Sequence, residues 1–201
     1  VWYNETANTL KVSTGALVSA WATGNSMNTA RKYLAGAGIQ TSALAFGGVT
    51  PPTVAVTDLW NGTNWTEVND LNTARNALAG AGTQTAALGF GGSGPSALTE
   101  SWNGTNWTEV NDMGTARYSL AGVGTQTAAL AIGGGYPGTT LTESWDGTNW
   151  TEVNDLNTAR TGLAGVGTNI AALAFGGDAG SPTTATEEWG ETGGNKTITT
   201  D

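Results

Sequence analysis

Residues 102–112 read Trp-Asn-Gly-Thr-Asn-Trp-Thr-Glu-Val-Asn-Asp, and the same eleven letters occupy residues 60–70. They occur again at residues 145–155 with a single change, Asp146 in place of Asn. A chain that repeats itself this closely is an array of similar units, so the repeat has to be interpreted before any local motif.

Each repeat contains signals for four short strands. In the repeat that starts at Arg75, residues 78–82 form a strand of small residues, and residues 85–90 form an apolar strand that is followed by Gly-Gly. Residues 98–102 and 107–111 are the third and fourth strands, and the turn between them contains Asn-Gly, which favours tight hairpins. The repeat therefore predicts a four-stranded antiparallel sheet.

The repeat length of about 43 residues is that of a propeller blade. A lone four-stranded sheet with two apolar faces can bury neither of them, whereas sheets packed face to face around an axis bury both. The strand nearest the axis is the most crowded, and the first strand of each repeat is rich in Gly and Ala. We therefore expect an all-β fold, a β-propeller of four-stranded antiparallel blades, in a single domain over residues 1–201.

The order of motifs within the repeat resembles the Kelch repeat. An Arg is followed by a small-residue strand, an apolar strand ending in Gly-Gly, an acid-x-aromatic unit and a further Trp, over residues 21–190. The resemblance implies a propeller that binds partners, although the blades are shorter than usual and Trp stands where Tyr is commoner. The diglycines are residues 47–48, 91–92, 133–134 and 176–177, and the acid-x-aromatic units are residues 58–60, 100–102, 143–145 and 187–189.

The four diglycines predict four blades, at residues 27–70, 71–112, 113–155 and 156–201. In the last of them, we expect residues 196–200 to form the fourth strand.

The N-terminal segment contains three further strand candidates, at residues 1–3, 9–13 and 17–23. Trp21 lies ten residues before Arg31, just as Trp65 lies ten before Arg75. We therefore expect residues 1–26 to be a partial fifth blade. The alternatives are four blades with a separate N-terminal hairpin, or an inner strand supplied by residues outside this sequence.

Two regions vary among the repeats, and all the variation in length lies in the first of them. The distance from the second Gly of the pair to the third-strand Trp is 12, 10, 11 and 12 residues, and all five prolines lie in this interval. The pair that follows each Arg also differs between repeats. Up-and-down strands place both regions on one face, which we expect to be the recognition face because loops on a rigid scaffold commonly bind ligands. The alternative is that these loops vary because nothing constrains them. The candidate ligand-binding residues are Lys32, Tyr33, Pro51, Pro52, Asn76, Tyr118, Tyr136 and Asp178.

One Arg and one acid recur in every repeat. Arg pairs well with carboxylates through its planar, forked guanidinium. We predict structural ion pairs, within or between neighbouring blades, although an Arg-lined funnel for an anionic ligand is an alternative. The arginines are Arg31, Arg75, Arg117 and Arg160, and the acids are Asp58, Glu100, Glu143 and Glu187.

Composition excludes several classes of function. The chain has no Cys and no His, so disulfides, zinc sites and His-based triads are not expected, and no metal or cofactor is indicated. The formal net charge is −9 with only seven Lys and Arg, which disfavours a nucleic-acid partner. No stretch approaches the roughly 20 apolar residues of a membrane span, so membrane insertion is not expected.

The sequence does not indicate catalysis. Most acids recur in every repeat, whereas a catalytic pair should break that symmetry, so we predict no catalytic residues and no enzymatic activity. Most of the nine Trp occupy repeat positions, which favours core packing over sugar binding.

Residues 1–15 resemble short modules of bacteriophage tail fibres. This resemblance implies a virion or extracellular location. The expected function is a non-enzymatic binding propeller that recognises a cell-surface glycan or protein, or contacts other virion proteins. The alternatives are a structural or consensus-like propeller without its own ligand, and a carbohydrate-active enzyme.

Overall fold

The computed structural model describes residues 2–4, 9–11 and 21–190, which contain strands and turns and no helix. An N-terminal hairpin consists of β1 (Trp2–Asn4) and β2 (Thr9–Lys11). Blade 1 consists of β3 (Ala35–Ile39), β4 (Ser42–Phe46), β5 (Thr57–Trp60) and β6 (Trp65–Val68). Blade 2 consists of β7 (Ala79–Gly82), β8 (Ala87–Phe90), β9 (Thr99–Trp102) and β10 (Trp107–Val110). Blade 3 consists of β11 (Ala121–Thr125), β12 (Ala128–Ile132), β13 (Thr142–Trp145) and β14 (Trp150–Glu152). The described part of blade 4 consists of β15 (Ala164–Gly167), β16 (Ala171–Phe175) and β17 (Thr186–Gly190).

Within each blade, consecutive strands pair antiparallel, and the register repeats from blade to blade. The inner strands β3, β7, β11 and β15 contact one another in that order and line a shallow, open cavity. The expectation of an all-β propeller with four-stranded antiparallel blades is therefore confirmed.

Glycine in the inner strands allows the blades to approach closely. A Cβ placed on Gly80 would lie 2.8 Å from the ring of Phe46 in the preceding blade, and one on Gly122 would lie 2.7 Å from the ring of Phe90. Both phenylalanines are fully buried. Blades 1 and 2 thus each present a phenylalanine that fills the space left by a glycine of the next blade.

A tryptophan from the fourth strand completes the contact between blades. Trp107 of blade 2 lies 4.8 Å from Phe46, centroid to centroid, and its Nε1 donates to the Thr57 hydroxyl at 3.0 Å. Trp150 of blade 3 repeats this arrangement with Phe90 at 4.9 Å and the Thr99 hydroxyl at 3.0 Å. We call this unit, made of an indole, an apolar side chain and a threonine hydroxyl, the indole lock.

The number of blades corrects the prediction from sequence. Five blades is wrong: the structure has four, and β1 and β2 form a separate two-stranded sheet, which was the alternative interpretation. Residues 1–20 lack the Arg, the Gly-Gly pair and the small-residue strand that place a blade against the axis. Of the third strand candidate, residues 21–23 are not strand and residues 17–20 lie outside the described residues, as do residues 196–200.

The two ends of the described array are uncovered. Val166 on the inner strand of blade 4 is 55% exposed, whereas Val123 at the equivalent position of blade 3 is 4% exposed. Trp21 is fully exposed, contrary to the expectation that the repeated Trp residues pack in the core. No described residue therefore covers the face of blade 4 that is turned away from blade 3, and no described residue packs on Trp21.

Candidate binding face

The structure brings the two variable regions together on one face of the array of blades. The loops at residues 47–56, 91–98, 133–141 and 176–185 join the second and third strands, and the pairs that follow the repeated arginines lie beside them. We call these loops and pairs the variable face. Backbone hydrogen bonds join loop to pair in every blade, from Val49 N to Lys32 O (2.9 Å), Ser93 N to Asn76 O (2.7 Å), Gly135 N to Tyr118 O (2.7 Å) and Asp178 N to Thr161 O (2.9 Å).

A belt of backbone hydrogen bonds runs from blade to blade across the variable face. Ala77 N donates to Tyr33 O (2.7 Å), Ser119 N to Ala77 O (2.8 Å), and Gly162 N to Ser119 O (2.8 Å). These are the second residues of the four variable pairs. The belt fixes their spacing, so their side chains project from a rigid frame.

The belt residues adopt a left-handed backbone conformation. The φ angles are 56° at Tyr33, 53° at Ala77, 52° at Ser119 and 62° at Gly162. For a residue with a Cβ this conformation costs roughly 1–2 kcal/mol, so three of the four blades hold strain here. The sequence did not predict this conformation, because Tyr, Ala and Ser do not favour positive φ. Its one sequence signal is Gly162, since glycine adopts positive φ readily.

Most of the predicted ligand-binding side chains are accessible. Tyr33 is 60% exposed and Tyr136 is 85% exposed. The Lys32 ammonium lies 5.3 Å from the centre of the Tyr33 ring, so a cation and an aromatic face form one patch. Tyr118 is half-buried, whereas Pro51, Pro52 and Asp178 are exposed.

Two of the predicted side chains have partners within the loops. Asn76 is half-buried, and its Nδ2 donates to the Thr53 hydroxyl at 2.8 Å, which ties blade 2 to the loop of blade 1. The Asp178 carboxylate accepts from Gly180 N at 2.8 Å and holds the tip of its own loop. Both residues therefore also shape the loops.

The four repeated arginines form ion pairs with the four repeated acids. Each pair lies within one blade and is buried, with the arginine side chains at most 2% exposed. The guanidinium groups are therefore held inside the blades and do not line an opening that an anionic ligand could enter. The nitrogen-to-oxygen distances are 2.8 Å for Arg31–Asp58, 2.9 Å for Arg75–Glu100, 2.8 Å for Arg117–Glu143 and 2.9 Å for Arg160–Glu187.

The ion pairs support the variable face from below. Arg75 donates to the carbonyl oxygens of Gly91 (2.9 Å) and Leu98 (2.7 Å), which are the two ends of the loop at residues 91–98. Its other terminal nitrogen donates to Glu100. Burial lowers the pKa of the Arg75 guanidinium, as it lowers the pKa of Arg117, and the neighbouring glutamate in each case opposes that shift. The buried charges of Arg75, Arg117 and Arg160 thus each close a loop. Arg31 instead donates to Ala45 O, within β4.

The opposite face consists of the repeated turns, and its side chains bind the neighbouring blade. The Gln84 amide donates to the carbonyl oxygen of Trp60 in blade 1, and Gln126 donates to that of Trp102 in blade 2. Asn69 donates to Thr105 O at 3.1 Å. These roles account for the near-identity of the turns, because each one is needed to join two blades.

No group of three or more His, Cys, Asp or Glu residues among the described residues could hold a metal ion. Within residues 21–190, no helix is long and apolar enough to cross a membrane.

The fold and its variable face define the class of protein as a β-propeller. A scan against models of known protein families finds no match, and a search of curated proteins finds none either.

Proposed function

We propose that this protein is a non-enzymatic binding propeller that recognises a surface glycan or protein through its variable face. The observation that carries the proposal is the contrast between the two faces. The side chains of the repeated turns are used in contacts between blades, whereas the variable face presents exposed, unlike side chains on a hydrogen-bonded frame. Rigid scaffolds with variable loops are a common solution for recognition.

The chemistry of the variable face suits a polar ligand with flat apolar surfaces. Tyrosine provides a large contact area with little loss of side-chain entropy, together with a hydroxyl for hydrogen bonds. Tyr33, Tyr136 and the ammonium of Lys32 offer this combination in exposed positions. Sugar rings and protein loops both present matching surfaces, so the proposal covers these two ligand classes.

The state of the repeated acids favours binding over catalysis. Asp58, Glu100 and Glu143 are buried and paired with arginine, so they are poorly placed to transfer protons to a substrate. Glycoside hydrolysis needs two accessible carboxyl groups at a set separation. A carbohydrate-active enzyme is therefore the weaker proposal.

The biological setting rests on the two resemblances. The Kelch-like order of motifs favours partner binding by this face, and the tail-fibre-like residues 1–15 favour a phage virion or another extracellular surface. In that setting the function would be attachment to a host cell.

A glycan array that includes bacterial surface polysaccharides tests this proposal. We expect the purified protein to bind a restricted set of related glycans, or, if its ligand is a protein, to bind intact host cells after their glycans are removed. Absence of binding to both probes would favour a purely structural propeller. Release of sugar products from a polysaccharide would favour the enzyme.

A further inference from the structure

We propose that blade 4 accepts Trp21 of a second copy of this chain, so that copies associate head to tail. The acceptor is a cleft of about 360 Å³ between blades 3 and 4, lined by Ile132, Thr142, Leu156 and Trp189 among others. The cleft borders β17, the last described strand of its sheet.

The cleft is an indole lock that lacks its indole. In the lock between blades 1 and 2, Trp107 contacts Phe46 and donates to Thr57. Its ring also lies against Trp102 of its own blade, with centroids 5.4 Å apart and the ring planes tilted by 45°. Ile132, Trp189 and Thr142 occupy the three corresponding positions around the cleft. Among the described residues, no donor reaches the Thr142 hydroxyl.

Trp21 has the position of a lock indole at the other end of the chain. Asn25, four residues after it, donates to Thr63 O (3.0 Å) and Asn64 Oδ1 (2.7 Å). Asn69, four residues after Trp65, makes the same two contacts with the next blade, at 3.1 and 2.7 Å. Residues 21–25 thus approach blade 1 as the end of a fourth strand would, yet Trp21 is fully exposed.

The cleft and Trp21 do not meet within one chain. Four residues span at most about 14 Å, so Trp21 could reach its own blade 4 only if blades 1 and 4 were packed together. The exposure of Val166 on blade 4 and the open space at Gly36 on blade 1 show that these faces are not covered as the other blade faces are. Residues 191–201 contain no aromatic residue and cannot supply an indole.

Docking of a second copy would also complete a second indole lock. Phe175 and Thr186 of blade 4 correspond to Phe46 and Thr57 of blade 1, but Thr186 is exposed and Phe175 only half-buried. Trp65 of the second copy already lies against Trp60, with ring centroids 5.3 Å apart and a tilt of 43°, as the other lock indoles do against their neighbours. One head-to-tail contact therefore fills two locks, and it presents several variable faces on one particle, which raises avidity.

Two variants test the association when they are mixed. Trp21→Ala removes the indole that enters the cleft. Trp189→Ala removes one wall of the acceptor cleft, and Trp189 itself is half-buried at the end of the array. By multi-angle light scattering, the wild type should form multimers as its concentration rises, each variant alone should remain monomeric, and the mixture should form one-to-one dimers only. Thr142→Val, which removes a single hydrogen bond, should weaken association about fivefold.

Other occupants of the cleft give different results. If Trp21 closes the ring of its own chain, the wild type remains monomeric and its Trp21 fluorescence is blue-shifted at every concentration, which overturns the proposal. If residues 191–201 fill the cleft, their deletion is needed before any association appears, which also overturns it. Association that survives Trp21→Ala would show that copies meet through another surface.

Discussion

The indole nitrogen of Trp107 donates to the hydroxyl of Thr57, 3.0 Å away in the preceding blade and 50 residues earlier in the chain. Both residues are buried. This bond therefore joins two repeats, which a comparison of their sequences treats as independent units. Trp150 and Thr99 form the same bond one blade further on. The fourth-strand residues Trp107 and Trp150 therefore stabilise the contact between blades. The third-strand residues Trp102 and Trp145 instead donate within their own blades, to Gln84 O and Gln126 O.

Loss of the lock hydroxyl should destabilise the propeller. Thr57→Val keeps the shape of the side chain but leaves the Trp107 N–H buried without an acceptor, which costs about 1–3 kcal/mol. Thr142→Val is the matched control, because no described donor reaches that hydroxyl, and its effect at low protein concentration should stay within about 0.5 kcal/mol. Urea denaturation measures both, and equal losses would contradict the role assigned to the lock.

Removal of a buried guanidinium should be more damaging. Arg75→Met leaves Glu100, which is 1% exposed, without its ion pair, and we expect a loss of about 3–5 kcal/mol in the free energy of unfolding. Arg160→Met should cost less, because the side chain of Glu187 is 15% exposed and can be hydrated. If Arg75→Met leaves stability unchanged and abolishes ligand binding, the arginines bind an anionic ligand and are not structural.

Glycine in the inner strand should matter only where a blade packs against it. Gly80→Ala brings a Cβ within 2.8 Å of the Phe46 ring and of Gly36 O, and we expect a loss of about 1–3 kcal/mol. Gly36 is the same position in blade 1, where the nearest atom to an added Cβ is Leu44 O at 3.4 Å. At low protein concentration, where the protein is monomeric, Gly36→Ala should therefore be neutral or slightly stabilising. A Gly36→Ala loss as large as that of Gly80→Ala would show that another blade covers this face.

The single acid among the Asn-Gly turns should make stability depend on pH. Asp146 accepts from Asn149 N (2.7 Å) and Thr148 N (2.8 Å), and these backbone hydrogen bonds lower the pKa of its carboxyl group from its ordinary value. A lowered pKa means that the stabilisation is present above the ordinary value and is lost as the pH falls through the folded-state value. Relative to Asp146→Asn, the wild type should lose stability on acidification. NMR titration of the Asp146 carboxyl checks this, and a midpoint at or above that of an unperturbed Asp carboxyl, about 3.9, would contradict it.

The blades could be predicted from the sequence because their determinants are local. Gly-Gly pairs, Asn-Gly turns and the alternation of strands recur at fixed spacing, and the structure places strands where this spacing predicts them. The number of blades could not be predicted, because residues 1–20 contain strand-forming letters but lack the Gly- and Ala-rich sequence that forms the inner strands of the four blades. Trp21 was misjudged for the same reason, since burial of a repeated residue depends on whether a neighbouring blade is present.

The variable face could be located but not described in detail. The length variation and the five prolines point to the loops, whereas the belt through Tyr33, Ala77 and Ser119 depends on hydrogen bonds between residues over 40 positions apart. Positive φ at such residues is imposed by these contacts and has no local signal.

The central claim is that the variable face binds the ligand, and one affinity comparison tests it. In a triple variant, Tyr33, Tyr118 and Tyr136 are replaced by Ala, which is compatible with the backbone at position 33 because Ala77 has the same conformation in blade 2. The control replaces Thr63, Thr105 and Thr148 by Ala in the exposed turns of the opposite face. Against the best-binding glycan of the array, or against host cells if no glycan binds, we predict at least a tenfold loss of affinity for the tyrosine variant, a change of about 1.4 kcal/mol, and none for the control. Unchanged affinity in the tyrosine variant, or an equal loss in the control, would contradict the account.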